Sequence, residues 1–230
     1  MRLSTILPIH SETDSVRETV EALLALLGDQ VHEIILVVHH ASPEETFKTC
    51  QELIEKHSNV KLRTQTSDGL GNALREGMRL ASGTHALFMD SDGEMNPNTV
   101  PQMISKLLDE DLDMVVASRW VKGGGAEGYQ PIKYVFVRLF NSLFRHLYKT
   151  SIHDLSLGFK VMRVELAKGI EWRGEYHEIA TETTLRPIRL GYKVGEVPMV
   201  WTKRKARKSK NWVGANIRYL KMALDIYRGK

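Results

Sequence analysis

The chain has 230 residues, enough for one large α/β domain or two small ones, and 42% of them are hydrophobic, which allows a substantial core. A single cysteine, Cys50, excludes an intramolecular disulfide and favours a reducing compartment. No segment has the roughly 18 consecutive apolar residues of a membrane span, so we expect a soluble or peripheral protein. The net charge of +4 is uneven, because six Lys and Arg residues and no acid lie in the segment 203–210.

Strand and helix patterns alternate over the first half of the chain. Strands are predicted at 3–7, 33–38, 60–64, 85–89 and 114–118, and helices at 16–27, 43–56, 70–81 and 98–108. This alternation indicates parallel βαβ units in an α/β fold, with one doubly wound, mostly parallel central sheet flanked by helices. Ligands of such sheets bind beyond the carboxyl ends of the strands.

A cluster of acids follows the predicted strand at 85–89, in the segment Asp90-Ser91-Asp92-Gly93-Glu94. Side chains two residues apart on an extended segment point the same way, so Asp90 and Asp92 can converge just past the strand end. Carboxylates gathered there repel one another unless a cation lies among them, and Mg²⁺ commonly shares one or two protein carboxylates with substrate phosphates. The segment therefore predicts either a metal-dependent site for a diphosphate-containing substrate or an acidic turn that caps the next helix.

The pattern changes in the second half of the chain. Glycines at 123–125 open a flexible loop that runs to Pro131, and beyond it we predict a helix at 132–148, a strand at 157–162, a helix at 178–190 and a strand at 193–200. The basic segment at 203–210 is a candidate for a solvated loop, a nucleic-acid patch or a clamp for phosphates. A C-terminal amphipathic helix carries a narrow apolar seam, which could pack on the domain, on a second copy or on a membrane.

The predicted helix at 132–148 carries a broad apolar stripe with basic flanks. Apolar and aromatic residues recur at helical spacing from Ile132 to Leu147, with Lys133, Arg138 and Arg145 among the basic residues beside them. The more common meaning of this pattern is a helix that faces the core. The alternative is an interfacial helix that contacts an anionic membrane or a lipid substrate.

Several short motifs occur in order along nearly the whole chain. They are Pro8-Ile9-His10-Ser11-Glu12, Gly69-Leu70-Gly71-Asn72-Ala73, the acidic turn, Ala117-Ser118-Arg119-Trp120, Asp154-Leu155-Ser156-Leu157-Gly158-Phe159-Lys160, Glu182 nine residues before Gly191-Tyr192, and Arg204-Lys205-Ala206-Arg207-Lys208-Ser209-Lys210. No single motif is decisive, but their order and spacing together are specific.

This set of motifs resembles glycosyltransferase family 2 with its GT-A fold, and it is most similar to the polyprenyl-phosphate (dolichyl-phosphate) mannose or glucose synthases. The resemblance implies a single GT-A catalytic domain over residues 1–230, with a nucleotide-sugar-binding half at 1–118, an acceptor-binding half at 119–212 and a C-terminal helix at 213–230. The implied reaction transfers one hexose, mannose or glucose, from GDP- or UDP-hexose to polyprenyl or dolichyl phosphate and inverts the anomeric centre.

The same resemblance implies a cytoplasmic protein, peripheral on the cytoplasmic face of a membrane and held by the membrane surface or by a membrane-protein partner. Relatives often carry C-terminal spans, so we expect either a bare catalytic domain or part of a longer membrane protein.

The resemblance also assigns roles to particular residues. It implies a Mg²⁺ or Mn²⁺ site at Asp90, Asp92 and Glu94, and Asp92 is one of the implied catalytic residues. The other implied catalytic residues are Arg119, the first candidate for holding the acceptor phosphate, and Arg204, which would fold over the diphosphate. The implied substrate-binding residues are Pro8, Glu12, His39, Asp68, Gly71, Asp90, Lys133, Arg138, Asp154, Glu182, Ser209 and Lys210.

One segment departs from the family pattern. Members usually carry Asp-Asp-Gly-Ser after the second strand, and this chain has His39-His40-Ala41-Ser42. A neutral histidine donates or accepts one hydrogen bond at each ring nitrogen, so contact with the nucleobase remains open, but the identity of the base does not carry over. If the strand continues, His39 and His40 point to opposite faces, which argues against a paired metal site.

Two other functions stay open. A related enzyme acting on a sugar or protein hydroxyl would need a carboxylate base, for which Asp154 or Glu182 could serve. A non-catalytic homologue would use the fold only for binding, and the two histidines and Leu157, where the family usually has Ser, favour it. Nucleic-acid binding by the segment 203–210 is disfavoured, because no aromatic stacking platform accompanies it.

Overall fold

The computed structural model describes residues 1–203 and 212–229. Its strands are β1 (Leu3–Ile9), β2 (Val31–Val38), β3 (Val60–Thr64), β4 (His85–Phe88), β5 (Met114–Ser118), β6 (Gly125–Glu127), β7 (Lys160–Arg163), β8 (Val194–Pro198) and β9 (Val200–Thr202). Its α-helices are α1 (Asp14–Leu27), α2 (Glu44–Lys56), α3 (Leu70–Leu80), α4 (Val100–Asp109), α5 (Pro131–Tyr148), α6 (Val164–Gly169), α7 (Ile179–Arg189) and α8 (Trp212–Tyr227).

Seven of the described strands form one sheet in the order β3-β2-β1-β4-β7-β5-β8. Paired strands run parallel except at β7, which is antiparallel to both β4 and β5. The predicted mostly parallel central sheet flanked by helices, with its C-terminal helix, is confirmed. The carboxyl ends of β1, β2, β3 and β4 lie side by side at one edge, where the sequence motifs also fall.

Helices cover both faces of the sheet, which explains why its central strands are apolar throughout. Residues 34–38 of β2 are all buried, as expected for a strand covered on both sides. Apolar residues of α1, α2 and α4 form the core on one face. Residues of α3, α5, α6, α7 and α8 form the core on the other face.

Element bounds predicted for the first half agree with the structure to within about two residues, but the second half differs. The predicted loop at 123–131 contains β6, which pairs in parallel with β9 as a separate two-stranded sheet. The strand predicted at 193–200 divides at Met199, whose N–H donates to Ser118 O and whose carbonyl accepts from Gly125 N. These two bonds carry the chain from the central sheet to the small one.

The strand predicted at 157–162 begins only at Lys160, because the preceding residues form a polar turn around Asp154. The sequence pattern did not indicate α6, whose six residues are too few to show a helical period. Strands from both predicted halves share the central sheet, with β7 between β4 and β5. The division into halves at 118 and 212 stays a prediction.

None of the helices in the described part of the chain is long and apolar enough to cross a membrane.

Candidate functional site

The acidic turn lies directly beyond the carboxyl end of β4. Its reversal depends on Gly93, whose φ of 81° lies in the left-handed region that favours glycine. The Glu94 N–H donates to Asp92 Oδ1 at 3.0 Å, which fixes that carboxylate inside the turn. The Ser91 hydroxyl donates to the Pro8 carbonyl at 3.5 Å and links the turn to the end of β1. Two predicted site segments therefore meet at this edge.

The charges of the turn crowd one another. Burial and the carboxylates of Asp92, Glu94 and Glu12 together raise the pKa of Asp90 to about 7. An all-oxygen donor set with this much repulsion fits a hard divalent cation. The oxygens of Asp90, Asp92 and Glu94 are not gathered within 4.8 Å of one another among the described residues. A cation here would therefore need substrate phosphate oxygens as well, which is how Mg²⁺ is usually bound.

Glu12 is buried behind this turn, with 5% of its surface exposed. Its Oε2 accepts hydrogen bonds from the N–H groups of His10 at 2.7 Å and Ser11 at 2.8 Å. These bonds hold the chain in a turn just after β1. Pro8 itself pairs with Val37 and remains partly exposed.

Gly71 is required by packing at the start of α3. A Cβ there would lie 2.0 Å from the Gly174 carbonyl oxygen, and the Gly71 N–H donates to Glu175 O at 2.9 Å. Gly69 has φ 99° and is equally crowded by Glu175. The glycine motif thus lets α3 approach the segment before α7, with Asp68 exposed immediately before it.

His39 and His40 do not point to opposite faces, so that prediction is wrong. The strand β2 ends at Val38, and the chain turns at once, which brings both rings to one side. Their centroids are 4.4 Å apart, and His10 stacks on His39 at 4.8 Å. His39 Nε2 lies 2.9 Å from Asp68 Oδ1, and His40 Nε2 lies 3.6 Å from it. Among the described residues, these two histidines and Asp68 are the one set of three or more potential metal ligands that lie within 4.8 Å of one another.

Arg119 is held in a buried ion pair with Asp154. Its Nε donates to Asp154 Oδ2 at 2.7 Å, and its NH2 donates to Asp154 Oδ1 at 2.9 Å and to Ser156 Oγ at 3.0 Å. Its NH1 donates to Tyr129 Oη at 3.0 Å, so four of the five guanidinium N–H groups are occupied. Only 6% of Arg119 and none of Asp154 is exposed. The structure therefore joins these two predicted residues to each other.

Lys133 and Arg138 lie close to Arg119 on the first turns of α5. The Lys133 Nζ lies 5.0 Å from the Tyr129 ring centre, and the Arg138 guanidinium lies 5.1 Å from the Trp120 ring centre. Burial lowers the pKa of Lys133, Glu94 opposes that shift, and Arg119 and Lys203 add to it. The Lys133 ammonium is therefore stabilised electrostatically by Glu94 of the acidic turn.

Glu182 is completely buried and accepts hydrogen bonds from both backbone and side-chain donors. It accepts from the N–H groups of Arg173 at 3.0 Å and Gly174 at 2.7 Å, and from Arg186 Nε at 2.6 Å. These contacts position the segment that packs on Gly71. Predicted site residues Arg204, Ser209 and Lys210 lie outside the described residues.

Two site residues were not predicted. Tyr129 contacts both Arg119 and Lys133, and its only sequence signal is an aromatic residue next to the glycine loop. Asn141 is buried, accepts from the Leu155 N–H at 2.6 Å and donates to Ser156 Oγ at 3.4 Å. An amide within the apolar pattern of α5 was a signal available for it.

Comparison with known proteins identifies the family. The family model described as glycosyl transferase family 2 matches residues 4–170. Undecaprenyl-phosphate mannosyltransferase of Micrococcus luteus is 30% identical over 91% of this chain and 87% of its own length. Polyprenol monophosphomannose synthase of Mycolicibacterium smegmatis is 30% identical over 94% of this chain and 83% of its own. Dolichol-phosphate mannosyltransferase of Pyrococcus furiosus is 28% identical over 91% of this chain, which spans 59% of that protein.

Among solved structures, glucosyl-3-phosphoglycerate synthase from Mycobacterium tuberculosis, in complex with Mn²⁺, UDP-glucose and phosphoglyceric acid, superimposes with a TM-score of 0.79. The match covers 99% of this chain and 80% of that one at 17% identity, and the same synthase was also solved with Mg²⁺ and UDP. This likeness shows the GT-A fold. The matched family model and the similar sequences show that the chain belongs to glycosyltransferase family 2.

Proposed function

We propose that this protein is a metal-dependent, inverting glycosyltransferase that moves a hexose from GDP- or UDP-hexose to a polyprenyl or dolichyl phosphate. Mannose is favoured over glucose because the named relatives are mannosyltransferases or a phosphomannose synthase. The observation that carries the proposal is α5, which places Lys133 over the Tyr129 ring beside Arg119 and presents an exposed apolar stripe.

The outer face of α5 supports a lipid acceptor. Ile132 is 75% exposed, Leu139 65% and Leu143 59%, and these residues share one side of the helix. A neighbouring side of the helix packs Phe140 and Phe144 into the core. The core-facing alternative raised for this helix describes the buried side, and the exposed side supports the interfacial alternative. An exposed apolar stripe this continuous is a typical lipid or partner contact.

The inner face of α5 supports a phosphate acceptor. Lys133 lies on its first turn, above Tyr129 and under the influence of Glu94. Because the donors of Arg119 are largely occupied by Asp154, Ser156 and Tyr129, we assign the acceptor phosphate to Lys133, with Arg138 beside it. Arg119 then positions Tyr129 and the surrounding loop.

The state of the buried acids argues against the hydroxyl-acceptor alternative. A phosphate monoester is largely ionised at neutral pH and needs no strong base, whereas a hydroxyl does. Arg119 outweighs burial and lowers the pKa of Asp154, and Glu182 accepts hydrogen bonds from two backbone N–H groups and Arg186. Neither carboxylate is placed to accept a proton from a substrate.

Donor binding is assigned to the acidic turn and the basic segment. Asp92 and Glu94, with Asp90 behind them, would hold Mg²⁺ or Mn²⁺, which when bound acts as a Lewis acid on the departing diphosphate. Arg204 and Lys210 would contact the same diphosphate, since guanidinium forks and ammonium groups both bind phosphate well. The turn is held by the hydrogen bonds that Glu94 N–H and Ser91 Oγ donate.

The acceptor assignment is tested by comparing a polyprenyl phosphate with the corresponding polyprenol and with a simple sugar acceptor, each with Mn²⁺ and a labelled donor. We expect label in the lipid only when the phosphate is present. Transfer to the sugar hydroxyl would contradict the proposal and favour the hydroxyl-acceptor enzyme. Donor binding without transfer to any acceptor would favour a non-catalytic homologue.

We also propose that the stripe on α5 holds the protein on the cytoplasmic face of a membrane. His146 is exposed on the same helix and Lys149 is exposed immediately after it, and both would face anionic headgroups. Flotation with anionic vesicles should recover the wild type, while Leu139→Glu should stay in the soluble fraction. The matched control is Leu108→Glu, since Leu108 is 53% exposed on α4. Equal flotation of all three proteins would contradict direct docking.

A further inference from the structure

The imidazole cluster at the sheet edge is not used by the metal or acceptor roles proposed above. His10 follows β1, His39 and His40 follow β2, and Asp68 follows β3. Strands in a sheet are about 4.8 Å apart, so this cluster lies one to three strands from the acidic turn that follows β4. A nucleoside diphosphate whose phosphates lie at that turn would extend its base along this edge.

Hydrogen bonding fixes the proton on His39. The Ala41 N–H donates to His39 Nδ1 at 3.1 Å, so this nitrogen presents its lone pair to the backbone. The ring proton is therefore on Nε2, which donates to Asp68 Oδ1 at 2.9 Å. Both nitrogens of His39 are satisfied within the protein. A metal-bound histidine usually carries its proton on the nitrogen that faces away from the metal, which is the opposite arrangement.

Asp68 is held in place while it remains open to a ligand. Its side chain is 68% exposed, and His40 Nε2 at 3.6 Å lies beyond hydrogen-bond distance. The Asn72 side chain donates to the Asp68 carbonyl at 2.6 Å, and the Gln65 side chain donates to Gly69 O at 2.8 Å. A carboxylate has about four lone-pair sites, and His39 occupies one of them. The remaining acceptors face outward from an ordered loop.

We propose that Asp68, oriented by His39, reads the nucleobase of the donor by accepting its imino N–H. Uracil presents such a group at N3 and guanine at N1, whereas the corresponding ring nitrogens of adenine and cytosine are themselves acceptors. A hydrogen bond to a charged acceptor is about twice as strong as a neutral one, and two facing acceptors repel. Asp68 is a specificity-determining residue and His39 is a positioning residue. This inference rests on the proposed function.

The test measures binding of GDP, UDP, ADP and CDP by calorimetry in the presence of Mn²⁺. The wild type should bind GDP or UDP at least about tenfold more tightly than ADP and CDP. Asp68→Ala should abolish that preference and leave ADP and CDP affinities nearly unchanged. Asp109→Ala, an exposed acid just before β5 at the opposite edge, is the matched control and should keep the preference.

Two substitutions of His39 test whether it positions Asp68. His39→Phe keeps a flat ring but removes the N–H donor, so it should reduce the base preference, while His39→Gln, which keeps an N–H, should restore part of it. In turnover, both should change the donor KM and leave kcat unaltered, which a general loss of structure would not do.

Three results would overturn the inference. An equal affinity for all four nucleotides, or an unchanged preference in Asp68→Ala, would exclude base reading by Asp68. Stoichiometric binding of Ni²⁺ or Zn²⁺ without nucleotide, lost in His40→Ala and Asp68→Ala, would make the cluster a metal site instead. Failure of every nucleotide to bind would contradict the proposed function itself.

Discussion

A substitution in the Arg119–Asp154 pair should change the stability of the protein without removing a group that contacts substrate. Asp154→Asn keeps the size of the side chain but removes the charge that balances Arg119, which is only 6% exposed. Three hydrogen bonds from Arg119 to Asp154, at 3.2, 2.7 and 2.9 Å, lose their ionic character. Removing one partner of a buried ion pair costs about 3–5 kcal/mol. In a chain of this length the melting temperature should fall by about 6–20 °C.

Lys133→Ala is the matching change on the substrate side. Lys133 is only half-buried and makes a ring contact with Tyr129, so its removal should lower the melting temperature by no more than about 4 °C. The rate of transfer to a lipid phosphate should nevertheless fall by about a hundredfold, because the variant lacks the ammonium group that positions the acceptor phosphate. Asp154→Asn should lose activity only in proportion to its unfolded fraction, so well below its own melting temperature it should keep most of its transfer activity.

Thermal unfolding followed by circular dichroism and transfer assays on the same preparations check both variants. A wild-type melting temperature for Asp154→Asn would refute the idea that Arg119 depends on this partner. A fully active Lys133→Ala would refute the assignment of the acceptor phosphate to Lys133.

Three further predictions concern the scaffold. Burial opposes ionisation of Glu33, but hydrogen bonds from Lys61 and nearby donors lower its pKa to about 2. About 3 kcal/mol of folding stability should therefore be present above pH 5 and be lost as the pH falls toward 2. Denaturant titrations at several pH values should show this loss in the wild type and not in Glu33→Gln. Gly71→Ala, whose Cβ would lie 2.0 Å from a backbone oxygen, should lower the free energy of unfolding by about 2 kcal/mol, and Gly169→Ala, with nothing within 4 Å, should be neutral in the same titration. Burial raises the pKa of Cys50 to about 12, so a thiol reagent should label it only after unfolding, and rapid labelling of the native protein would contradict its position.

The parts of the fold that follow from local pattern were predictable. The apolar run in β2 and the helical spacing in α1 and α4 reflect burial on known faces, and their bounds agree closely. The direction of β7 was not predictable, because four apolar-rich residues read the same in a parallel or an antiparallel strand.

In the site, too, features formed by residues close in sequence were predictable, whereas contacts between distant residues were not. The acidic turn was readable because its residues are neighbours in sequence and follow a strand. The Arg119–Asp154 pair joins residues 35 positions apart, so both residues were predicted as site residues but their contact was not. The stacking of His39 and His40 was missed because it depends on how the chain turns after β2 ends at Val38, and the strand pattern does not describe that turn.

The most direct measurement of the central claim is a transfer reaction with GDP-mannose, GDP-glucose, UDP-mannose or UDP-glucose, Mn²⁺ and a short polyprenyl phosphate, analysed by mass spectrometry of the lipid fraction. We predict a single hexose added to the lipid phosphate from one donor, lost on chelation of the metal and in Asp92→Asn. A lipid fraction without hexose for all four donors, from folded wild-type protein, would contradict the claim.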